Sequence, residues 1–337
     1  MKRIAILGSG GYVGVLLARE LLRSSAPLEI VGFGSFWFSD PPTQSLECGE
    51  PIGIHRMKCF KADIRDGDKI QAALQGVDTL IHLACISNDP GVDLNPEWAK
   101  SINLDSFDPI MAAAVSAGVK HVIYASSSSV YGACAGKERD ESDKCNPLTD
   151  YAKFKLHCED KIAAVWGKVI PITIVRPATL FGWTDTAMRF DLMLNAFISQ
   201  AATTGTINVR GGEQMRSLLH VEDMVQLYVK LSLEDDMNRV GGMTWNVSHA
   251  SKSLQDLAFM VAKWRQEDGK RTGVQFEPTQ DLRSYAINAT AIEEQYDFVA
   301  SRSLESGYKG IADKVPADWD SAKYMRVKGY REVMECL

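Results

Sequence analysis

A tyrosine, a lysine and a run of serines in the middle of the chain are suited to proton and hydride chemistry. Tyr151 and Lys155 stand four positions apart in a segment with helical periodicity, and this spacing puts two residues on one helix face. An ammonium group there would lower the pKa of the phenol toward neutrality and make it a general acid or base. The serines at 126–129 follow a strand-like run and could hydrogen-bond the same substrate oxygen. The combination predicts hydride transfer at a carbinol carbon, although each part alone also occurs by chance.

The glycine-rich segment GSGGYVG at 8–14 predicts a phosphate-binding loop. It follows an apolar run at 4–7 and precedes a helical pattern, so free N–H groups at the helix start could face a pyrophosphate. Gly8 would permit the turn, Gly11 close approach of the backbone, and Gly14 packing of the helix on the strand. A plain flexible turn is the alternative.

The residue that usually distinguishes NAD from NADP is absent from its expected position. An acid at the end of the second strand usually binds the adenosine ribose, but here the strand ends VGFGS at 31–35, with no acid and no nearby Arg or Lys. Asp40 could substitute from the following loop, although a solvated loop aspartate is the preferred interpretation. This position therefore leaves both cofactors open.

Alternating strand-like and amphipathic segments through the first half predict a parallel sheet covered on both faces. After about residue 180, helical patterns such as 188–202 mix with loops rich in Gly and Thr. We expect an α/β fold, a Rossmann-type doubly wound parallel sheet with a smaller mixed C-terminal substrate domain. The predicted dinucleotide-binding domain is 1–182, with segments near 216–250 returning to it, and the substrate-binding domain is 183–215 and 251–337.

Composition narrows the class of protein. The chain has 337 residues, a net charge of -6 and 45% apolar residues, which gives no general attraction to nucleic acid or anionic membranes. No apolar run is long enough to span a bilayer, so we expect a cytoplasmic protein. The seven cysteines include no C-x-x-C pair, and the six histidines lack metal-ligand spacing. We therefore predict reduced, mostly structural cysteines and no metal site.

Further motifs follow in the order seen in a known family. They are ADIRD at 62–66, IHLA at 81–84, VRPATLFG at 175–182, RSLLHVED at 216–223 and WNVS at 245–248. With them the chain resembles, over nearly its whole length, the extended short-chain dehydrogenases/reductases, specifically the NAD-dependent nucleotide-sugar epimerase/dehydratase family. The resemblance implies bound NAD, with NADP as the alternative, a nucleotide-diphosphate sugar as substrate, and a homodimer.

The resemblance also implies roles for individual residues. Ser127 would be the catalytic hydroxyl and Tyr151 the acid/base, while Lys155 would hold the nicotinamide ribose and tune Tyr151. The residues expected to bind the cofactor are Gly8, Gly11, Tyr12, Val13, Gly14, Asp63, Ile64, Leu83, Ala84, Asn103, Tyr151, Lys155 and Pro177. Those expected to bind substrate are Ser87, Ser128, Thr179, Arg216, Arg283 and Tyr285, with Arg216 facing the diphosphate as a bidentate cation. Asn103 could instead bond only to backbone, and Arg283 and Tyr285 could be ordinary surface residues.

The residues beside Ser127 restrict the reactions that this chain is expected to catalyse. Family members that act as 4,6-dehydratases carry an Asp-Glu pair after the hydroxyl, and those that epimerise carbons 3 and 5 carry a cysteine before the Val-Tyr marker. This chain has Ser128 and Ser129 there, and we interpret Cys85 and Cys134 as packing residues. A 4-epimerase and a 4-keto-sugar reductase remain, and the missing cation after Gly34 favours NAD and epimerisation. A non-catalytic dinucleotide-binding protein is the third interpretation.

Overall fold

A parallel β-sheet forms the centre of the protein. The computed structural model describes residues 1–39, 51–52, 55–133 and 136–336, and within them the sheet has seven parallel strands and one antiparallel edge strand in the order β11-β7-β6-β5-β1-β2-β4-β3. The strands are β1 (Lys2–Leu7), β2 (Leu28–Gly34), β3 (Pro51–Ile52), β4 (His55–Lys61), β5 (Thr79–His82), β6 (His121–Ala125), β7 (Ile172–Pro177) and β11 (Thr244–Val247). The order reverses beside β1, which opens a crevice at the carboxyl ends of β1 and β5.

Helices cover both faces of this sheet because alternate residues of each strand point to opposite faces. Ile4 and Ile6 of β1 are buried on one face with α1 (Tyr12–Leu21) and α8 (Val221–Leu233). Ala5 and Leu7 are buried on the other with α2 (Gly67–Leu74), α5 (Phe107–Ser116) and α6 (Asp150–Ala164). The predicted Rossmann-type fold is confirmed. No helix in the described part of the chain is long and apolar enough to cross a membrane.

Two smaller sheets lie beyond the carboxyl ends of the main strands. One contains β8 (Thr179–Phe181), β10 (Met215–His220) and β12 (Ala250–Ser253), and the other pairs β9 (Thr206–Arg210) with β13 (Gly273–Glu277). Their apolar residues form a third core with α7 (Met193–Thr203), α10 (Leu254–Glu267) and α12 (Leu304–Ile311). The helix expected over 188–202 begins only at Met193, so residues 183–192 are loop, and residues 189–192 of this loop line the crevice.

Short helices occupy the connections. They are α3 (Asp89–Leu94), α4 (Pro96–Lys100), α9 (Met237–Val240), α11 (Thr290–Tyr296) and α13 (Arg326–Glu335). The helical segment that precedes β6 is divided among α4, a π-helical turn at Ser101–Asp105 and α5. The last helix, α13, packs against α3 and so brings the C-terminal segment to the crevice.

Close packing at Gly14 generates a test of the glycine loop. A β-carbon at this position would overlap the Gly8 carbonyl oxygen and lie 2.7 Å from Ser9 Cα, and the backbone on both sides is held by the sheet and α1. We expect Gly14→Ala to lower the free energy of unfolding by about 1–3 kcal/mol, as overpacking does, measured by urea denaturation. Gly310→Ala in α12 is the control, because a β-carbon there would have no neighbouring atom within 4 Å. Equal stability of the two variants would contradict the packing assigned to Gly14.

Candidate active site

A cleft of about 1040 Å³ opens over the carboxyl ends of the central strands. All the predicted site residues except Asn103 line it, namely Gly8, Gly11, Tyr12, Val13, Gly14, Asp63, Ile64, Leu83, Ala84, Ser87, Ser127, Ser128, Tyr151, Lys155, Pro177, Thr179, Arg216, Arg283 and Tyr285. Asn103 lies behind the wall, where its side-chain amide accepts from Ile86 N at 2.7 Å and donates to Ile86 O at 3.0 Å. It therefore fixes the backbone that follows β5.

The glycine loop forms one wall of the cleft. Gly8 has φ +92°, and a β-carbon there would lie 2.8 Å from Ala84 N, so only glycine fits without strain. Helix α1 begins at Tyr12 without a side-chain cap, which leaves the first N–H groups of the helix without intrahelical partners. These groups suit a pyrophosphate. The Tyr12 hydroxyl donates to Gly182 O at 2.6 Å, so its side chain joins the loop to the segment that follows β8.

The end of β2 carries aromatic residues where an acid is expected. Phe36, Trp37 and Phe38 line the cleft after Gly34, while Asp40 lies outside the described residues, as does Cys134. Beyond β4, the Asp63 carboxylate pairs with Arg65 at 2.7 Å, and this hydrogen bonding lowers its pKa.

Tyr151 and Lys155 lie on one face of α6. The helix is capped by Thr149, whose hydroxyl accepts from Ala152 N. The Lys155 ammonium donates to Ala125 O at 2.6 Å and lies 6.0 Å from the centre of the Tyr151 ring. The helix thus positions both groups at the end of β6, with the charge of Lys155 directed at the strand carbonyl.

The pKa of Tyr151 departs from the sequence expectation. Burial raises it well above the usual value, as do the nearby Cys85 and Asp89, and these effects outweigh Arg189 and a hydrogen bond with Ser127. The sequence led us to expect that Lys155 lowers the pKa of this phenol toward neutrality, whereas burial raises the pKa of Tyr151. Burial of the ring and the orientation of Lys155 toward Ala125 explain the difference.

The serine run forms a capped turn between β6 and the cleft. The Ser127 hydroxyl caps a 3-10 turn at Ser128–Tyr131 and accepts a hydrogen bond from Ser129 Oγ at 2.9 Å. The Ser126 hydroxyl instead points inward and donates to Glu159. Neighbouring serines thus differ in their contacts: the Ser127 hydroxyl caps the turn, whereas the Ser126 hydroxyl is bonded to the buried Glu159 carboxylate.

A buried ionic network supports this turn. Glu159 of α6 pairs with Arg176 of β7 through Nη2 and Oε2 at 2.5 Å, and Arg176 Nη1 donates to the Tyr131 hydroxyl at 2.7 Å. That hydroxyl donates to Asn246 Oδ1 of β11 at 2.9 Å. Burial raises the pKa of Tyr131 to about 12. The network joins α6, the serine turn and two strands.

Two arginines on the opposite wall are fixed by carboxylates. Arg283 binds Asp281 at 2.6 and 2.8 Å and also contacts Asp89. Arg216 approaches Asp281 at 3.3 Å, donates to Arg283 O at 2.5 Å, and stacks 5.2 Å above the Tyr285 ring centre. The hydrogen bonds to Asp281 raise the pKa of Arg283 despite partial burial. The cleft therefore presents two oriented guanidinium groups.

The loop 183–192 contributes residues that sequence reasoning missed. Arg189 pairs with Asp191 at 2.6 Å and donates to Ser87 Oγ at 2.9 Å. Burial opposes the charge on Arg189, but the Asp191 carboxylate outweighs it and raises the pKa of Arg189. Arg326 and Tyr330 of α13 also line the cleft. The Arg-x-Asp spacing at 189–191 is a usable signal, but the helical pattern of 188–202 obscures it.

Comparison with known proteins identifies the family. The profile of the NAD dependent epimerase/dehydratase family matches residues 4–248, so the chain belongs to this family, as the sequence motifs indicated. It is 27% identical over 323 residues to the UDP-N-acetyl-alpha-D-glucosaminuronate decarboxylase of Bacillus cytotoxicus, covering 91% of this chain and 96% of that protein. It is 24% identical over 288 residues to the uncharacterised protein y4nG of Sinorhizobium fredii, covering 83% of this chain but only 64% of that protein.

Solved structures with the same fold include enzyme complexes. The UDP-glucuronic acid 4-epimerase of Bacillus cereus, in complex with UDP-glucuronic acid and NAD, superimposes with a TM-score of 0.78 at 23% identity. The match covers 93% of this chain and 98% of that one.

Removal of the Glu159 charge tests the buried network. Glu159→Gln leaves the Arg176 guanidinium buried without its counter-ion, and breaking such a pair costs about 3–5 kcal/mol. We expect a loss of that size in the free energy of unfolding, measured by urea denaturation. Glu305→Gln, which removes an exposed pair with Lys309, should have little effect. A Glu159 variant as stable as the control would show that the network does not support the turn.

Titration of Tyr151 tests its protonation state. Because burial raises its pKa above the usual value of 10.0, the group should remain a phenol at every pH below about 10 in the cofactor-free protein. Subtracting the near-ultraviolet titration of Tyr151→Phe from that of the unmodified protein isolates its signal, and we expect none in this range. A difference signal near neutral pH would mean that Lys155 alone is enough to activate the phenol.

Proposed function

We propose that this protein is an NAD-dependent nucleotide-sugar epimerase that acts by transient hydride transfer at a site formed by Ser127, Tyr151 and Lys155. One observation carries the proposal: these three side chains line the same cleft as the glycine loop. Membership of the NAD dependent epimerase/dehydratase family supports it. Retention of both Tyr151 and Lys155 argues against a protein that only binds the dinucleotide.

The side of the cleft that contains the glycine loop suits a dinucleotide. The start of α1 offers N–H groups to a pyrophosphate, and the backbone near Asp63 and Ala84 borders the same space. When bound, NAD supplies a hydride acceptor and a positive charge. Residues 34–39 themselves contain no Lys or Arg for a 2′-phosphate, which favours NAD over NADP; tertiary packing places the cation of Arg326 beside Phe38 of this segment.

The opposite wall suits the diphosphate of a nucleotide sugar. Arg216 and Arg283 are held in fixed orientations by Asp281, and fixed guanidinium groups bind phosphates bidentately. Tyr285, Thr179, Ser87 and Ser128 border the same space and would contact the remaining parts of the substrate.

Tyr151, Ser127 and Lys155 have separate roles in the proposed reaction. Tyr151 would take the proton of a sugar hydroxyl and later return it to the same oxygen, while bound NAD would supply the acceptor for the hydride of that carbon and its return to the other face. Ser127 hydrogen-bonds that oxygen, and Lys155 holds the cofactor ribose and stabilises the tyrosinate. No net oxidation results, so no external reductant is consumed.

We further propose that 1–182 with 216–250 forms the dinucleotide-binding domain, which the pairing of β11 with β7 supports. Residues 183–215 and 251–337 would form the substrate domain. A homodimer and a cytoplasmic location remain predictions from the resemblance and the composition.

Substrate conversion without added reductant tests the proposal. The dinucleotide bound to one sample of purified protein is released and identified, and a second sample that keeps its dinucleotide is incubated with a panel of UDP-, dTDP- and GDP-sugars. We expect one to be epimerised. Tyr151→Phe should lower turnover about 10²- to 10⁴-fold, the usual contribution of a general acid–base, while dinucleotide content stays unchanged.

Tyr296→Phe is the matched control, because this tyrosine bonds to the Lys230 carbonyl oxygen and does not border the cleft. Full activity in Tyr151→Phe would reject the proposed site. Reaction only with 4-keto sugars, with stoichiometric consumption of NADH or NADPH, would replace the epimerase with a reductase.

A further inference from the structure

One arginine in the cleft has no ion-pair partner among the residues that the structure describes. Arg326, the first residue of α13, is 3% exposed. Its guanidinium donates to the carbonyl oxygen of Ala187 at 2.7 Å and lies 3.8 Å from the centre of the Phe38 ring. Among the described residues, no carboxylate is within ion-pairing distance of it. The four other arginines that line the described part of the cleft, at 189, 210, 216 and 283, each have a carboxylate partner.

The surroundings of Arg326 carry excess positive charge. Burial lowers the pKa of Arg326 to about 10, and the neighbouring Arg189 adds to the effect while Asp191 opposes it. Arg326 and Arg189 thus share one nearby carboxylate, that of Asp191, already bonded to Arg189. At neutral pH this group retains a net charge of about +1 in a desolvated place, which is costly unless an anion compensates it.

The position of Arg326 relative to the glycine loop indicates which anion would do so. The Phe36 ring covers Gly10, and the Ser39 hydroxyl donates to Gly10 O at 2.8 Å. Phe38 packs against Tyr330 of α13, with ring centres 5.3 Å apart. The segment 36–39 therefore connects the glycine loop to α13, and the charge of Arg326 influences Tyr12 at the start of α1.

We propose that Arg326 binds the pyrophosphate of the dinucleotide from the wall opposite the glycine loop, so that the C-terminal helix helps to retain the cofactor. The inference rests on the dinucleotide site of the proposed function. Backbone N–H groups at the start of α1 would bind one side of the pyrophosphate, and the guanidinium would supply the charge that neutral amides lack. Among the described residues, this buried guanidinium contacts only the carbonyl oxygens of Lys323 and Ala187 and the Phe38 ring, and none of these supplies a full negative charge.

This role predicts that removing the Arg326 charge affects the thermal stability of the protein and its affinity for NAD in opposite directions. Replacing Arg326 with the apolar Met should leave the melting temperature of the cofactor-free protein equal or higher, since it removes an uncompensated buried charge. The same change should weaken NAD binding about 10- to 100-fold, the loss expected for a charged hydrogen bond. Arg326→Lys, which keeps the charge without the planar fork, should give an intermediate affinity.

The experiment measures NAD affinity by calorimetry and melting temperature with and without NAD, on protein stripped of cofactor. Arg331→Met is the control, because this residue lies on the exposed side of α13; it should change neither quantity. Unchanged NAD affinity in Arg326→Met would overturn the inference, even if affinity for a nucleotide sugar falls. A lower melting temperature without NAD, with binding reduced only in proportion to the folded fraction, would assign Arg326 a structural role and also overturn it.

The proposed function can fail separately from this inference. Tight NAD binding in the unmodified protein and in Arg326→Met alike rejects only the role of Arg326. Absence of NAD binding in the unmodified protein rejects both.

Discussion

The ion pair between Glu159 and Arg176 is the constraint on which the geometry of the cleft depends. Glu159 lies on α6, the helix that carries Tyr151 and Lys155, while Arg176 lies on β7. Ser126 donates a hydrogen bond to the same carboxylate and so connects the serine turn to this ion pair. Because burial makes each charge costly without the other, the helix, the strand and the turn cannot move independently. The relative placement of the three proposed reacting side chains follows from this pair.

The cleft contains cations in two electrostatic states. Arg189, Arg216 and Arg283 are paired with carboxylates, so their orientation is fixed and their net local charge is small. Such groups suit recognition, since their geometry is set before a ligand arrives. Arg326 has no carboxylate partner among the described residues and is almost fully buried, so its stabilisation depends on a ligand. The two states distinguish the arginines proposed to orient a substrate from Arg326, which we propose binds an anion.

The sequence predicted the local motifs and missed the long-range pairs. The glycine loop and the Tyr151–Lys155 face could be predicted because each depends on spacing within one turn or helix. The partnership of Glu159 with Arg176, and the approach of Arg326 to the cleft, depend on tertiary packing that spacing does not encode. The motif position of Asn103 assigns it to the cofactor, but its amide bonds to the Ile86 backbone. The pKa of Tyr151 depends on burial and on where the Lys155 ammonium points, and neither is readable from the spacing.

The raised pKa of Tyr151 and the unpaired charge of Arg326 are complementary features of the cofactor-free cleft. Tyr151 needs additional positive charge nearby before its phenolate becomes accessible, whereas Arg326 needs negative charge before its burial is compensated. A dinucleotide carries both, a cationic nicotinamide at one end and an anionic pyrophosphate at its centre. Occupation of the cleft would therefore relieve the desolvated cation and activate the acid–base group together.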